Sequence, residues 1–419
     1  MGIKAAILFA LISALVSNRI YIVMNREIPS SLDEPHLVRW LDEIGRIADA
    51  VLHYSRLAGI EVSGWPAAKS IVSISFGLLL GNVGSGHKGV NVTDHVIDNV
   101  PITIFRPDTL LTKDLHPTVV YIHGGGWAWF TINSYYNYLE NFASQAKMQI
   151  IAVEYRKTPH HPFPAAFIDC VSILNNILKD PIKYQVEADK IVIAGDGAGG
   201  TLAAAVSQEF SGKVLMQILI NPALQIMDFK TPSYLDNRDA LTGISSPERS
   251  VRNWMMYANV TDFANLPLVL ENYHVLQNVR NSEFGSYLKT KKYLPKYHEV
   301  TKRSSVPNTR SNYLVSAPFV DLVTDNRFSP MMAKIVKGIP NAYIITAQYD
   351  VLRDEAIMYA HRLFDDNVKT KLKHYKNAFH GFFLFSAVGP FQFRVSKEAM
   401  EDLVKFLDLH IHNIRDQHV

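Results

Sequence analysis

Three short stretches carry the residue types that acyl-transfer chemistry needs. His123-Gly124-Gly125-Gly126-Trp127 follows an apolar run at 119–122. Consecutive glycines there let backbone N–H groups turn inward and approach a ligand, as an oxyanion-binding loop must. Further on, a β-branched run at 191–193 leads into Ala194-Gly195-Asp196-Gly197-Ala198-Gly199-Gly200, and an Ala-rich helical pattern begins at Thr201. Strand, abrupt turn and helix are the setting of a nucleophile elbow, G-x-S-x-G, in which a strained turn lifts a serine to the top of a sheet. Here the middle position is Gly197. The third group is split: Asp350 stands just past an apolar run at 343–347, and Phe379-His380-Gly381-Phe382 follows thirty residues later. Elbow, acid and histidine occur in the order of a hydrolytic triad. Base, orienting acid and oxyanion donors are all supplied; the nucleophile is missing.

Each stretch also has a plainer reading. A glycine-rich turn can be only a turn, and Asp354 is a natural first-turn acid for a helix beginning near 355. Asp350 comes first after the strand and is the stronger catalytic candidate. The loop at 123–127 lacks a Walker lysine and any G-x-G-x-x-G pattern, so a phosphate cradle is disfavoured, and the histidines show no H-E-x-x-H or other metal-ligand spacing. No metal or cofactor is expected. Nor is a substitute nucleophile evident: Thr201 lies about 6 Å along a helix axis from the elbow, Asp196 leaves the turn in another direction, and Cys170 reads as a small buried hydrophobe. In a triad hydrolase, loss of the nucleophile removes on the order of 10⁶ in turnover and leaves roughly 10³–10⁴ over water. The backbone itself is relieved of about 1–3 kcal/mol of strain, because glycine accepts elbow angles.

The elements that must hold these residues are legible as alternation. Apolar strand-like runs at 102–105, 119–122, 150–153, 191–194, 215–220 and 343–347, with a short run at 372–375, are separated by helical patterns at 136–147, 164–178, 201–210 and 355–364, and 395–411 closes the chain. Near-continuous apolar strands between helices predict an α/β fold with a mostly parallel sheet covered on both faces. Before it, Leu37, Trp40, Leu41, Ile44, Ile47 and Val51 recur at helical spacing, which predicts an N-terminal cap packed over the body. Between 222 and 339 the alternation lapses for longer than a simple loop allows, and a helical lid is expected. The expected organisation is 1–26 anchor or signal, 27–94 cap, 95–228 and 329–419 core, and 229–328 lid insertion.

In 419 residues, 48% are hydrophobic and 11% aromatic, enough for a large core, and the net charge of +3 without a basic cluster speaks against nucleic acid. Cys170 is the only cysteine, so no intrachain disulfide can form. Residues 5–16 carry no charge, and 20–24 resume the apolar run after Ser17-Asn18-Arg19. The first run alone suits a signal peptide; taken to Met24 it suits a membrane span with Arg19 snorkelling at one end, which is the preferred expectation. Sequons at Asn91 and Asn259 fit a glycosylated, lumenal body.

The glycine loop, Tyr155-Arg156, Phe163-Pro164-Ala165, Gly195 to Gly200, Asp350-Val351-Leu352-Arg353-Asp354-Glu355 and Phe379-His380-Gly381 together resemble the hormone-sensitive-lipase group of α/β-hydrolases. Within it the chain is most similar to arylacetamide deacetylases and neutral cholesterol ester hydrolases. The resemblance implies an α/β-hydrolase fold. It also implies a single-pass protein of the endoplasmic reticulum membrane with a lumenal domain, acting on lipid or aryl esters or acetylated amides in an apolar pocket. It further implies an oxyanion hole at His123, Gly124, Gly125 and Ala198, with Asp350 orienting His380. Two positions depart from the group: Gly197 replaces its serine, and Lys157-Thr158 replaces its usual Leu-Ala. Three readings therefore compete: a hydrolase with triad catalysis abolished, a non-catalytic lipid- or ester-binding protein, and an active esterase whose serine was substituted in this sequence.

Overall fold

A computed structural model of the chain describes residues 17–59, 66–82, 89–110, 114–295, 310–334 and 338–412. The expected apolar runs become strands of one eight-stranded sheet. Its strands are β1 (Val90–Ile97), β2 (Val100–Pro107), β3 (His116–Ile122), β4 (Gln149–Val153), β5 (Val186–Asp196), β6 (Met216–Ile220), β7 (Asn341–Tyr349) and β8 (Thr370–Phe379). The order is β1-β2-β4-β3-β5-β6-β7-β8; β1 and β2 pair antiparallel, as do β2 and β4, and every other pair is parallel. β1 begins inside the stretch expected to be cap. It forms a hairpin with β2 through Asp98 and Asn99, both at positive φ, and seven consecutive exposed or half-exposed residues hide it from an apolar-run reading.

Strand pleating divides the core. Val120, Ile122, Ile191 and Ile193 face α4 (Ala165–Lys179), α5 (Ala198–Glu209) and α7 (Arg353–Asp365). Their neighbours Val119, Tyr121, Val192 and Ala194 face α3 (Tyr136–Ala146) and α8 (Arg394–Leu407). Burial on both faces is why these strands read as continuous apolar runs.

Two helices precede the sheet, α1 (Pro35–Leu57) and α2 (Pro66–Leu79). The packing face of α1 follows the expected stripe at Leu37, Trp40 and Leu41, which are buried or half-buried, and departs from it beyond them. Ile44, Ile47 and Val51 are exposed, whereas Val38, Leu41, Asp42 and Glu43 are buried. The carboxylates can be buried because they are paired: Asp42 accepts from Arg26 at 3.1 Å, Arg46 at 2.7 Å and the Gly243 N–H at 2.7 Å. The helix is drawn to the body by backbone approach at this point, since a Cβ on Gly45 would stand 1.8 Å from the Gly243 carbonyl oxygen. Residues 17–24 are helical, Val23 is fully buried, and Arg19 pairs with Glu43 rather than serving as a free interfacial cation. Among the described residues no helix is long and apolar enough to cross a membrane; residues 5–16 of the expected span lie outside them.

Between β6 and β7 lie α6 (Pro247–Tyr257) and several helices of about one turn, including Pro232–Asp236, Leu266–Leu270 and Gln277–Arg280. Aromatic side chains of this insertion pack against the body. Tyr257 stacks on Trp127 at 4.4 Å and on Phe328 at 5.0 Å, and Tyr234 and Trp254 are buried with them. Residues 296–309 of the insertion lie outside the described residues.

Candidate active site

β5 delivers Asp196 to the top of the sheet and the chain reverses at Gly197, with φ 51° and ψ −116°, before entering α5 at Ala198. A non-glycine residue is strained at that φ. The turn is held from two sides: the Gly197 N–H donates to the Ile220 carbonyl at 2.9 Å, and the Gly197 carbonyl accepts from Ala223 at 3.2 Å. A Cβ at position 197 would meet only His380, with Nε2 at 3.7 Å and Cε1 at 3.8 Å, which is ordinary van der Waals contact. The elbow thus keeps both the angles and the space a nucleophile would use.

His380 follows β8 in a turn completed by Gly381 at φ 76°. Its Nδ1 donates to Asp350 Oδ2 at 3.0 Å. Asp350 is fully buried. Its Oδ2 also accepts from Asn221 Nδ2 at 2.9 Å, while Oδ1 accepts from the Leu352 N–H at 3.0 Å and the Ser245 hydroxyl at 3.4 Å. Burial pulls the His380 pKa down, but the charge and hydrogen bond of Asp350, helped by Asp196, raise it above the ordinary histidine value. Thus Nδ1–H is held by Asp350 and Nε2 is turned towards position 197.

The glycine loop after β3 departs from the expected oxyanion set. The Gly124 N–H is already engaged, donating to Asp196 Oδ1 at 3.0 Å and approaching the Tyr135 hydroxyl at 3.2 Å. His123 offers the site no donor either: its ring is buried, stacks on Tyr155 at 4.6 Å, and directs Nδ1 to the Gly124 carbonyl at 2.8 Å. Desolvation lowers its pKa to about 4, so it is neutral and braces the loop. Among the described residues, the N–H groups of Gly125, Gly126 and Ala198 have no hydrogen-bond acceptor. The Gly125 carbonyl is tied back by the N–H groups of Ala128 at 3.2 Å and Trp129 at 2.9 Å. The expected donors Gly124 and His123 are thus engaged within the loop, whereas the Gly126 N–H is open alongside those of Gly125 and Ala198.

Asp196 is the residue the sequence reading undervalued. Fully desolvated, it accepts from Tyr121 at 2.8 Å, Tyr135 at 2.9 Å and Gly124. Burial outweighs these donors and pushes its pKa up to about 6. It welds the elbow to the glycine loop. Asn221 was missed too, although Asn-Pro after a strand marks a turn; its φ of 45° lets the amide reach Asp350. Nothing in the spacing pointed to Tyr121 or Tyr135.

The alternative nucleophiles are otherwise occupied. The Thr201 hydroxyl donates to the Ala223 carbonyl, and burial pushes the Cys170 thiol far above the thiolate range. The unusual Lys157-Thr158 pair has a structural use: Lys157 pairs with Glu154, the Thr158 N–H donates to the Trp127 carbonyl at 3.0 Å, and Lys69 of α2 donates to the Thr158 carbonyl at 2.6 Å.

Sheet order, elbow, and histidine–aspartate pair after the last two strands define a class, and the chain belongs to it: the alpha/beta hydrolase fold family, whose profile matches residues 119–282 and 276–384. The likeness to particular members is near full length. The chain is 32% identical over 422 residues to neutral cholesterol ester hydrolase 1 of Bos taurus, covering 97% of this chain and 100% of that one. It is 32% identical over 397 residues to arylacetamide deacetylase of Bos taurus, covering 91% and 94%. Among solved structures, a bacterial heroin esterase superposes with a TM-score of 0.61 at 21% identity, over 84% of this chain and 93% of that one. A hyperthermophilic esterase from the archaeon Pyrobaculum calidifontis gives 0.57 at 22%, over 81% and 92%. At those identities the structures show the fold; the relatives place the chain among carboxylesterase- and lipase-type hydrolases.

Proposed function

We propose that this chain is an ester-hydrolase-type protein whose triad catalysis is disabled at one position. His380, oriented by Asp350, is the base; Gly125, Gly126 and Ala198 are the oxyanion donors; position 197 supplies no hydroxyl. The single observation that carries the reading is Gly197 itself, an elbow residue whose absent side chain would have faced His380 Nε2. The compounds its relatives are named for, a cholesterol ester and an arylacetamide, are the class of acyl compound this scaffold is suited to. Water activated by His380 in the vacated space leaves slow direct hydrolysis at most, roughly 10⁶ below a triad enzyme.

A fluorophosphonate probe and a short-chain aryl ester test this. The unchanged chain is expected to remain unlabelled and nearly inactive, and Gly197→Ser to gain both labelling and turnover. Rapid labelling of the unchanged chain would sink the reading. The proposal extends to a lumenal body behind an N-terminal membrane anchor, supported by the uncharged run at 5–16 and by the exposure of Asn91 and Asn259. A glycosidase-sensitive mass that disappears in Asn91→Gln/Asn259→Gln is expected; digestion of the body by protease added to intact microsomes would refute it.

A further inference from the structure

We infer that the vacated elbow is a receptor for a carboxylate, so that the site holds a free acid more tightly than the corresponding ester. This rests on the reading that Gly197 ends triad catalysis. The backbone N–H groups of Gly125 and Gly126, in the loop after β3, and of Ala198, just past the elbow, have no acceptor among the described residues. On the other side His380 Nε2 stands 3.7 Å from where a Cβ would be, with no hydrogen-bond partner, and its side chain is 28% exposed. Gly125 and Gly126 are likewise only half-buried, so a ligand can reach them.

An ester presents one good acceptor to such a site. Its carbonyl oxygen can take the backbone donors, while its other oxygen is a weak acceptor facing an imidazolium. A serine at 197 would have engaged Nε2 itself. With glycine there, a carboxylate can place one oxygen on the backbone donors and the second where a serine hydroxyl would lie, as acceptor for His380 Nε2–H. Charge-assisted hydrogen bonds of this kind are about twice as strong as neutral ones.

The surrounding charges set the sign of the pH dependence. Asp350, from the turn between β7 and α7, and Asp196, at the end of β5, raise the affinity of His380 for its proton, and Arg249 of α6 opposes them. As pH rises through its raised pKa His380 loses its proton, and Asp196, near 6, becomes ionised. Both changes weaken anion binding.

Calorimetry on the full chain with acetate, butyrate and octanoate, each beside its methyl ester and matching alcohol, tests the inference. At pH 6 at least one carboxylate is expected to bind about tenfold more tightly than its neutral partners. That preference should shrink by pH 8, and it should be lost in both His380→Gln and Gly197→Ser, the second of which fills the vacancy without removing the imidazole. Absence of carboxylate-selective binding across the series, or selectivity that survives both substitutions, overturns the inference. Its failure is distinguishable from failure of the parent reading, which fluorophosphonate labelling of the unchanged chain reports independently.

Discussion

At the scale of single residues, two side groups next to one another have opposite energetic signs. A serine at Gly197 fits the space but not the backbone, because φ is 51°. Gly197→Ser should therefore lower unfolding stability by about 1–3 kcal/mol in urea titration while restoring probe labelling. Unchanged stability would show that the elbow relaxes around the new side chain. Asp196 is desolvated, with its folded pKa raised to about 6 from an ordinary 3.8. A carboxyl whose folded pKa is raised contributes stability that is complete below the unfolded value and is lost as pH rises through the folded one. Between pH 4 and 7 the unchanged chain should lose on the order of 3 kcal/mol relative to Asp196→Asn. Asp196→Asn should cost about 1–3 kcal/mol at pH 4 through a mismatched donor. Parallel stability curves for the two proteins across that range would contradict the assignment.

At the scale of elements, α1 shows how a helical period can be correct and its facing wrong. The spacing of Ile44, Ile47 and Val51 is helical, yet these residues are exposed. The buried face also carries Asp42 and Glu43, neutralised by Arg19 and Arg26 from the preceding segment and by Arg46 one helical turn on. An apolar stripe predicts the core face only if the opposite face has nothing better to bury, and a paired carboxylate with a backbone donor satisfies that condition. Asp42→Ala is expected to destabilise by about 1–3 kcal/mol, whereas Ile47→Lys stays within about 0.5 kcal/mol; chemical denaturation of both variants gives the comparison, and the reverse ranking would restore the apolar stripe as the packing face. Elsewhere, strand-and-helix elements were legible because burial on both sheet faces leaves uninterrupted apolar runs. β1 was not, because an edge strand with an outward face reads as polar chain.

At the scale of the whole molecule, the site is assembled from the ends of β3, β5, β6, β7 and β8, so its geometry depends on the sheet as a unit. Ile193, fully buried at the centre of β5, is a sensitive place to test that dependence. Ile193→Ala should lose about 2–5 kcal/mol, and in the Gly197→Ser background turnover per folded molecule should persist; a selective loss of turnover without loss of stability would show that β5 tunes the site directly. The sequence by itself determined the fold class and marked the glycine turn, Asp350 and His380 as candidates, because each is written in local order: apolar runs, glycines after a strand, and the succession of turn, acid and histidine. Only the tertiary structure decided which N–H groups remain open, that Asp196 occupies Gly124, that Asn221 holds Asp350 and that α1 buries its acids. Those outcomes are hydrogen-bond competitions between residues far apart in the chain, and a donor's availability depends on every acceptor that folding brings within 3 Å of it.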